Sequence, residues 1–234
     1  MLETLLRQGF ESLGLELGPQ AEKGYRTYFE HLEKMNQVMN LTAISGETDV
    51  AQLHFLDCAQ LLTMADFRGK KVIDVGTGAG FPGLAMKIAC PEMKLTLLDS
   101  LDKRIGFLKD CCELIGLEGV EQIHARAEEI GPGMRQSYDY ALSRAVARLS
   151  TLCELCLPYV RVGGAFIAMK GKDLSEELEE AGKAISTLGG KLEKKLDYQI
   201  PGTDVVHCAL VIRKVKDTPA KYPRRWAQIK KAPL

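Results

Sequence analysis

From Lys70 onward the chain alternates apolar runs of strand length with amphipathic stretches of helix length, the pattern of a parallel sheet with crossover helices. Strands are expected at Lys71–Val75, Lys94–Asp99, Glu121–His124, Tyr138–Leu142 and Gly164–Met169, and helices at Pro82–Ala89, Lys103–Ile115, Leu149–Tyr159 and Leu174–Thr187. Pro82 suits a first helical turn and Gly116 a helix stop. Two further β-rich runs, Leu192–Ile200 and Val205–Val215, are separated only by Pro201-Gly202-Thr203-Asp204. So short a link requires them to pair antiparallel. Upstream, apolar residues such as Leu2, Leu5, Leu6 and Tyr25, Phe29, Leu32 recur three or four apart, as in successive amphipathic helices. The expected organisation is a helical cap over 1–66, an α/β core over 67–216 and a basic C-terminal tail over 217–234.

Parallel strands that end in an antiparallel pair disfavour a nicotinamide-binding Rossmann domain and fit the class I S-adenosylmethionine-dependent methyltransferase fold, a Rossmann-like α/β architecture. The 234 residues suffice for one large domain with an appendage. Lys plus Arg and Asp plus Glu are equal at 31 each, so attraction for an anionic polymer must be local rather than global. Met1–Phe10 has no uninterrupted apolar core and no stretch approaches 18 apolar residues, so no membrane association and a cytoplasmic location are expected. Seven cysteines scattered through apolar segments suit reduced core thiols, and the Cys153-Glu154-Leu155-Cys156 pair lacks a partner pair for zinc. No metal site is expected.

The densest motif is Asp74-Val75-Gly76-Thr77-Gly78-Ala79-Gly80-Phe81-Pro82-Gly83, set between a strand and a helix. Glycines there permit a sharp turn and let a ligand approach the main chain. No Gly-Lys-Ser/Thr follows, which excludes a Walker-type phosphate loop, and the bare G-x-G-x-x-G match is weak support for a dinucleotide. Asp74 is placed to meet a cationic or amino group, as S-adenosylmethionine offers, or else to cap the following loop. Asp99 ends the second strand, where an acid can accept hydrogen bonds from ribose hydroxyls or cap the next helix. Ser100 follows it. Ala127 and Glu128 come after the third strand at adenine height, Glu128 being either a partner for the adenine amino group or a solvated acid. Arg144 after the fourth strand and Lys170 and Lys172 after the fifth bring positive charge toward the acceptor side, or pair with surface acids. His54 and Asp57 are spaced for a local hydrogen bond on one helical face, with a role in ordering the acceptor side as the other reading.

Several blocks taken together carry a more specific likeness. Asn40-Leu41-Thr42, His54-Phe55-Leu56-Asp57, Asp74 to Gly83, Leu97-Leu98-Asp99-Ser100 with Lys103-Arg104 and Phe107-Leu108, Ser143-Arg144-Ala145, Lys170-Gly171 and Tyr222-Pro223-Arg224-Arg225 occur in order and at compatible spacing. In these the chain resembles the bacterial 16S ribosomal RNA methyltransferase G family, also called glucose-inhibited division protein B. The resemblance implies methyl transfer from S-adenosylmethionine to N7 of one guanine in 16S rRNA or the small ribosomal subunit, by a chain expected to act as a monomer. It places cofactor contacts on Gly76, Phe81, Asp99, Ser100, Ala127, Glu128 and Arg144. Asp74, Gly78 and Gly80 complete the expected cofactor site, and Arg144 is the expected catalytic residue. The chain departs from the family where Trp226 to Ile229 replaces a Gly-x-Pro run.

Guanine N7 has an in-plane lone pair and needs no deprotonation, so catalysis reduces to alignment and charge stabilisation. Consistent with this, no Asn/Asp-Pro-Pro-aromatic motif for an exocyclic amine and no strand-end Pro-Cys for a pyrimidine occur. The basic segment Arg213, Lys214, Lys216, Lys221, Arg224, Arg225, Lys230 and Lys231, with Tyr222 and Trp226 interleaved, suits contact with phosphates and unpaired bases. Arg224 and Arg225 are its expected RNA-binding residues. The alternatives are an NAD(P)-dependent oxidoreductase, disfavoured by the hairpin and by the absence of a Tyr-x-x-x-Lys pattern, and a non-catalytic RNA-binding protein with a vestigial cofactor fold.

Overall fold

A computed structural model describes residues 1–144, 147–172 and 174–234. Seven strands form one sheet in the order β3-β2-β1-β4-β5-β7-β6. β1 (Lys71–Val75), β2 (Lys94–Asp99), β3 (Val120–His124), β4 (Tyr138–Arg144) and β5 (Val160–Gly171) are parallel. β6 (Gly190–Gln199) and β7 (Val206–Lys214) form the hairpin, and β7 inserts antiparallel beside β5. The expected α/β methyltransferase architecture is therefore present. β4 and β5 run longer than the sequence pattern suggested, so Ser143, Arg144, Lys170 and Gly171 lie within strands rather than in the loops after them.

The sheet is covered on both faces, which is why its central strands read as nearly continuous apolar runs. On one face Val72, Leu95, Leu97 and Leu142 pack with α5 (Gly83–Ala89), α6 (Asp102–Ile115) and the cap. On the other, Ile73, Val75, Leu98 and Phe166 pack with α7 (Leu149–Cys156) and α8 (Ser175–Thr187). α6 ends where expected, on Gly116 at φ 76°. α5 starts one residue later than expected, because Gly83 N is held by Asp74 as the loop enters the helix (2.8 Å). α7 tightens into a 3-10 turn at Leu157–Tyr159, where Pro158 supplies no amide hydrogen.

The cap comprises α1 (Leu2–Ser12), α2 (Pro19–Met39), α3 (Glu47–Val50), a π-helical turn at Ala51–Leu56, α4 (Asp57–Ala59) and a 3-10 turn at Gln60–Thr63. It is joined to the core rather than hung from it: Tyr25 donates to Ala85 O (2.7 Å), and Tyr28 donates to Ala79 O inside the glycine loop. The tail is likewise docked, ending in α9 (Trp226–Lys231) with Tyr222 and Ile229 buried. Arg135 donates to the carbonyls of Thr218, Pro219 and Tyr222 (2.9, 3.2 and 2.8 Å). All seven thiols are buried and unpaired. No described helix is long and apolar enough to cross a membrane, and no cluster of metal-ligating side chains occurs among the described residues.

Candidate functional site at the carboxyl edge of the sheet

Strand ends in a parallel sheet point their unsatisfied groups into a shared crevice, and ligands of open α/β sheets bind there. Here the loop after β1 is organised by two acids with separate tasks. Asp74, fully buried, uses Oδ2 to accept from Thr77 Oγ1 (2.7 Å) and Gly83 N (2.8 Å), tying both ends of the loop to β1. Burial pushes its carboxyl up to about 6, against the opposing effect of those hydrogen bonds. Of the two expectations for Asp74, the geometry is that of the loop cap, though Oδ1 is buried without a partner. Asp99, at the end of β2, accepts from Gly78 N (2.9 Å), Leu101 N (3.0 Å) and Arg104 Nη1 (3.3 Å).

The three loop glycines all have positive φ (72°, 61° and 102° at 76, 78 and 80), but not for one reason. A Cβ at Gly78 would meet nothing within 4 Å, so space lies open beside its backbone. A Cβ at Gly80 would fall 2.5 Å from the Tyr28 hydroxyl and 2.9 Å from Leu84 and Leu108. A Cβ at Gly83 would fall 2.8 Å from the Asp74 side chain. Thus Gly80 and Gly83 serve close packing while Gly78 has open space beside it, so the G-x-G-x-x-G glycines do not share one purpose. Phe81 is buried, its ring facing the cap, with Tyr28 at 5.4 Å and His54 at 4.1 Å between centroids.

Gly76, Ser100, Ala127 and Glu128, four of the expected cofactor residues, line one cavity of about 190 Å³ with Val75, Arg126 and residues of α7. Glu128 is half of an ion pair with Arg126 (2.7 Å), and Ala127 O accepts from Tyr159 (2.9 Å). Ala147 and Trp226 complete the lining, the latter contributed by the tail. Strand spacing cannot foresee this neighbour, because α9 arrives from the far end of the chain.

Arg144 is the hub of a second, polar cluster. Its guanidinium lies over the Phe81 ring at 4.8 Å and donates to Leu53 O (3.3 Å), Asp57 Oδ2 (3.4 Å) and His54 Nδ1 (3.0 Å). An arginine only donates, so Nδ1 accepts and the His54 proton sits on Nε2, which donates to Thr42 Oγ1 (2.9 Å). Thr42 is itself placed by Asn36, which binds Leu41 N, Thr42 N and Thr42 O. Burial and the neighbouring Arg144 charge drive His54 down to about 3, so it stays neutral. Asp57 accepts on Oδ1 from Tyr198 (2.8 Å) and His207 (3.0 Å), and this hydrogen bond raises the His207 value. His54 and Asp57 thus do not bond each other, as their spacing suggested; both hold Arg144. Tyr198 and His207, from the hairpin, are members the sequence pattern did not reveal. Ala145 of the Ser143-Arg144-Ala145 block lies outside the described residues.

Two expected RNA-binding cations are engaged inside the fold. Lys170 donates to Ala147 O and Glu177 (both 2.6 Å), leaving its side chain 10% exposed. Arg224 donates through Nε (2.8 Å) and Nη2 (2.6 Å) to Glu154, which is wholly buried in α7 between the two cysteines. In the same basic segment Lys214 is buried on Leu157 O (2.6 Å) and Thr218, and Arg213 pairs with Glu193. Lys172, Lys216, Lys221, Arg225, Lys230 and Lys231 are exposed.

Residues 21–199 match the family described as rRNA small subunit methyltransferase G. A ribosomal RNA small subunit methyltransferase G from Alkaliphilus oremlandii (strain OhILAs) is 46% identical over 100% of this chain and 99% of its own. One of the same name from Clostridium perfringens (strain 13 / Type A) is 42% identical over 98% of each. Among solved structures, M. jannaschii TYW2 in complex with AdoMet aligns with a TM-score of 0.55 at 14% identity, over 70% of this chain and 78% of the other. A SAM dependent methyltransferase from Aquifex aeolicus aligns at 0.50 and 18% identity, over 67% of this chain and 89% of that one; both likenesses concern the fold. A sheet order, a loop and a crevice of this kind, together with identity above 40% across the whole length of such relatives, lead to one conclusion: the chain belongs to the rRNA small subunit methyltransferase G family.

Proposed function

We propose that this protein transfers a methyl group from S-adenosylmethionine to N7 of a guanine in small-subunit (16S) rRNA, in line and without a general base. The observation that carries the reading is the convergence of Gly76, Ser100, Ala127 and Glu128 from three successive strand ends on one cavity, next to the open backbone at Gly78. The residues fit the cofactor. No Cβ stands over the backbone at Gly78, Ser100 lines the cavity next to Asp99, whose carboxylate holds Gly78 N and Leu101 N, and Glu128 offers an acceptor for an adenine amino group. When bound, S-adenosylmethionine supplies an activated methyl on a sulfonium that departs as a neutral thioether.

The chain's own residues then have to align the acceptor and offset charge moving onto the purine. Arg144 lies over the Phe81 ring at the end of the loop, and its bonds to Leu53 O, His54 and Asp57 fix its direction. The absence of a base is supported by the same cluster. His54 is neutral, but its Nδ1 accepts from Arg144 and its Nε2 donates to Thr42, while His207 is bound to Asp57. RNA would be held by exposed cations, including Lys172 and Arg225, rather than by Lys170 or Arg224. The test is incubation with S-adenosylmethionine and 16S rRNA or small subunits lacking the modification, followed by nucleoside mass spectrometry. Appearance of 7-methylguanosine is expected; methyl on another guanine atom, or on ribose, would overturn the N7 assignment.

A further inference from the structure

We infer that Trp226 forms the outer wall of the adenine subsite and stacks on the base, so that the C-terminal segment is part of the cofactor site. This rests on the cofactor reading above and adds to it a residue from outside the strand-end loops. Trp226 lines the same cavity as Gly76, Ser100, Ala127 and Glu128. That cavity, about 190 Å³, is of the right order for an aromatic ring system, since roughly 150 Å³ accommodates benzene in a protein interior. Its inner wall is apolar, built from Leu152 and Leu155 of α7, and its polar edge is Glu128, so a planar ligand would meet a hydrocarbon surface, an indole and a hydrogen-bond acceptor.

The indole is held there by the fold. Arg224, two residues before it, is clamped by Glu154 of α7, the helix that also supplies Leu152 and Leu155. Ile229, three residues after it, is completely buried. The wall and its anchor thus share one helix, and α9 cannot leave without opening the cavity.

Trp226 is the only tryptophan in the chain, so its emission reports on this residue alone. Titration of the full-length protein with S-adenosylmethionine, S-adenosylhomocysteine and methylthioadenosine should quench that emission, with midpoints equal to the calorimetric dissociation constants. Trp226→Ala should weaken all three about tenfold, the range typical of one base–aromatic stack. The factor should be the same for methylthioadenosine, which lacks the amino-acid portion, and Trp226→Phe should restore most of the affinity. Binding heat with unchanged emission, together with unaltered affinity in the Ala and Phe variants, would overturn the role of Trp226 and leave the cofactor reading standing. No binding heat from the wild-type protein would overturn both.

Discussion

Arg224→Ala should damage stability before it damages RNA contact. Glu154 is wholly buried and receives three hydrogen bonds from residue 224: the backbone amide (2.9 Å), Nε (2.8 Å) and Nη2 (2.6 Å). The alanine variant keeps only the first. Removing one partner of a buried pair typically costs about 3–5 kcal/mol, because the other charge stays behind. The expected loss is therefore about 3–5 kcal/mol at pH 7. For a chain of this size that is roughly 6–20 °C in Tm. Thermal melts, with limited proteolysis of the segment beyond Lys216, make the measurement. Adding Glu154→Met, of similar volume and uncharged, should recover most of the loss. A variant within 1 kcal/mol of wild type at pH 7, with RNA affinity nonetheless sharply reduced, would show that Arg224 serves the nucleic acid and that the buried pair is incidental.

The glycine loop should separate access from packing: Gly78→Val should abolish S-adenosylmethionine binding by calorimetry while lowering Tm only by the strain of a side chain at φ 61°, whereas Gly80→Ala should lower Tm further because, besides its φ of 102°, its Cβ would meet the Tyr28 hydroxyl at 2.5 Å. Equal stability loss in both would contradict the division. The two histidines around Arg144 should act on opposite sides of pH 6.5. Because folding lowers His54 to about 3, its contribution is present above the unfolded value of about 6.5 and falls by about 1.4 kcal/mol per pH unit below it. His207 is raised, so its contribution is present below that value and fades as pH rises through the folded one. Stability scans of His54→Gln and His207→Gln against wild type should lose these two slopes separately, and a single common slope would refute the arrangement. Methyl transfer itself, in single turnovers, should vary little between about pH 6 and 9, and a one-proton rise would reveal a base. Replacing Arg225, Lys230 and Lys231 by alanine should reduce the slope of log affinity for RNA against log salt by about 2, at about 0.7 per lost single-strand phosphate contact. An unchanged slope would move the RNA surface elsewhere.

The sheet was legible because its signal is local. Lys71–Val75 and Lys94–Asp99 are apolar runs that only a strand covered on both faces would carry, and Pro201-Gly202-Thr203-Asp204 is too short to join parallel neighbours. The same holds for the order of Gly76, Asp99 and Ala127 along the crevice, since each simply follows a strand. What the strands' ends meet was not legible. Arg224 and Glu154 are 70 residues apart, and Arg144 and Asp57 are 87 apart. Asp57 further binds Tyr198 and His207, and the cavity beside Glu128 is walled by Trp226. A charged side chain reads identically in sequence whether it is solvated or paired, so Lys170, Arg224 and Arg225 looked alike there. Tertiary packing separated them: Arg224 was brought against the buried Glu154, where an unpaired charge is costly, Lys170 was turned inward onto Ala147 O and the half-buried Glu177, and Arg225 was left in water. Backbone periodicity thus determined the fold and the location of the crevice, while the long-range docking of cap and tail decided which side chains are available to act in it.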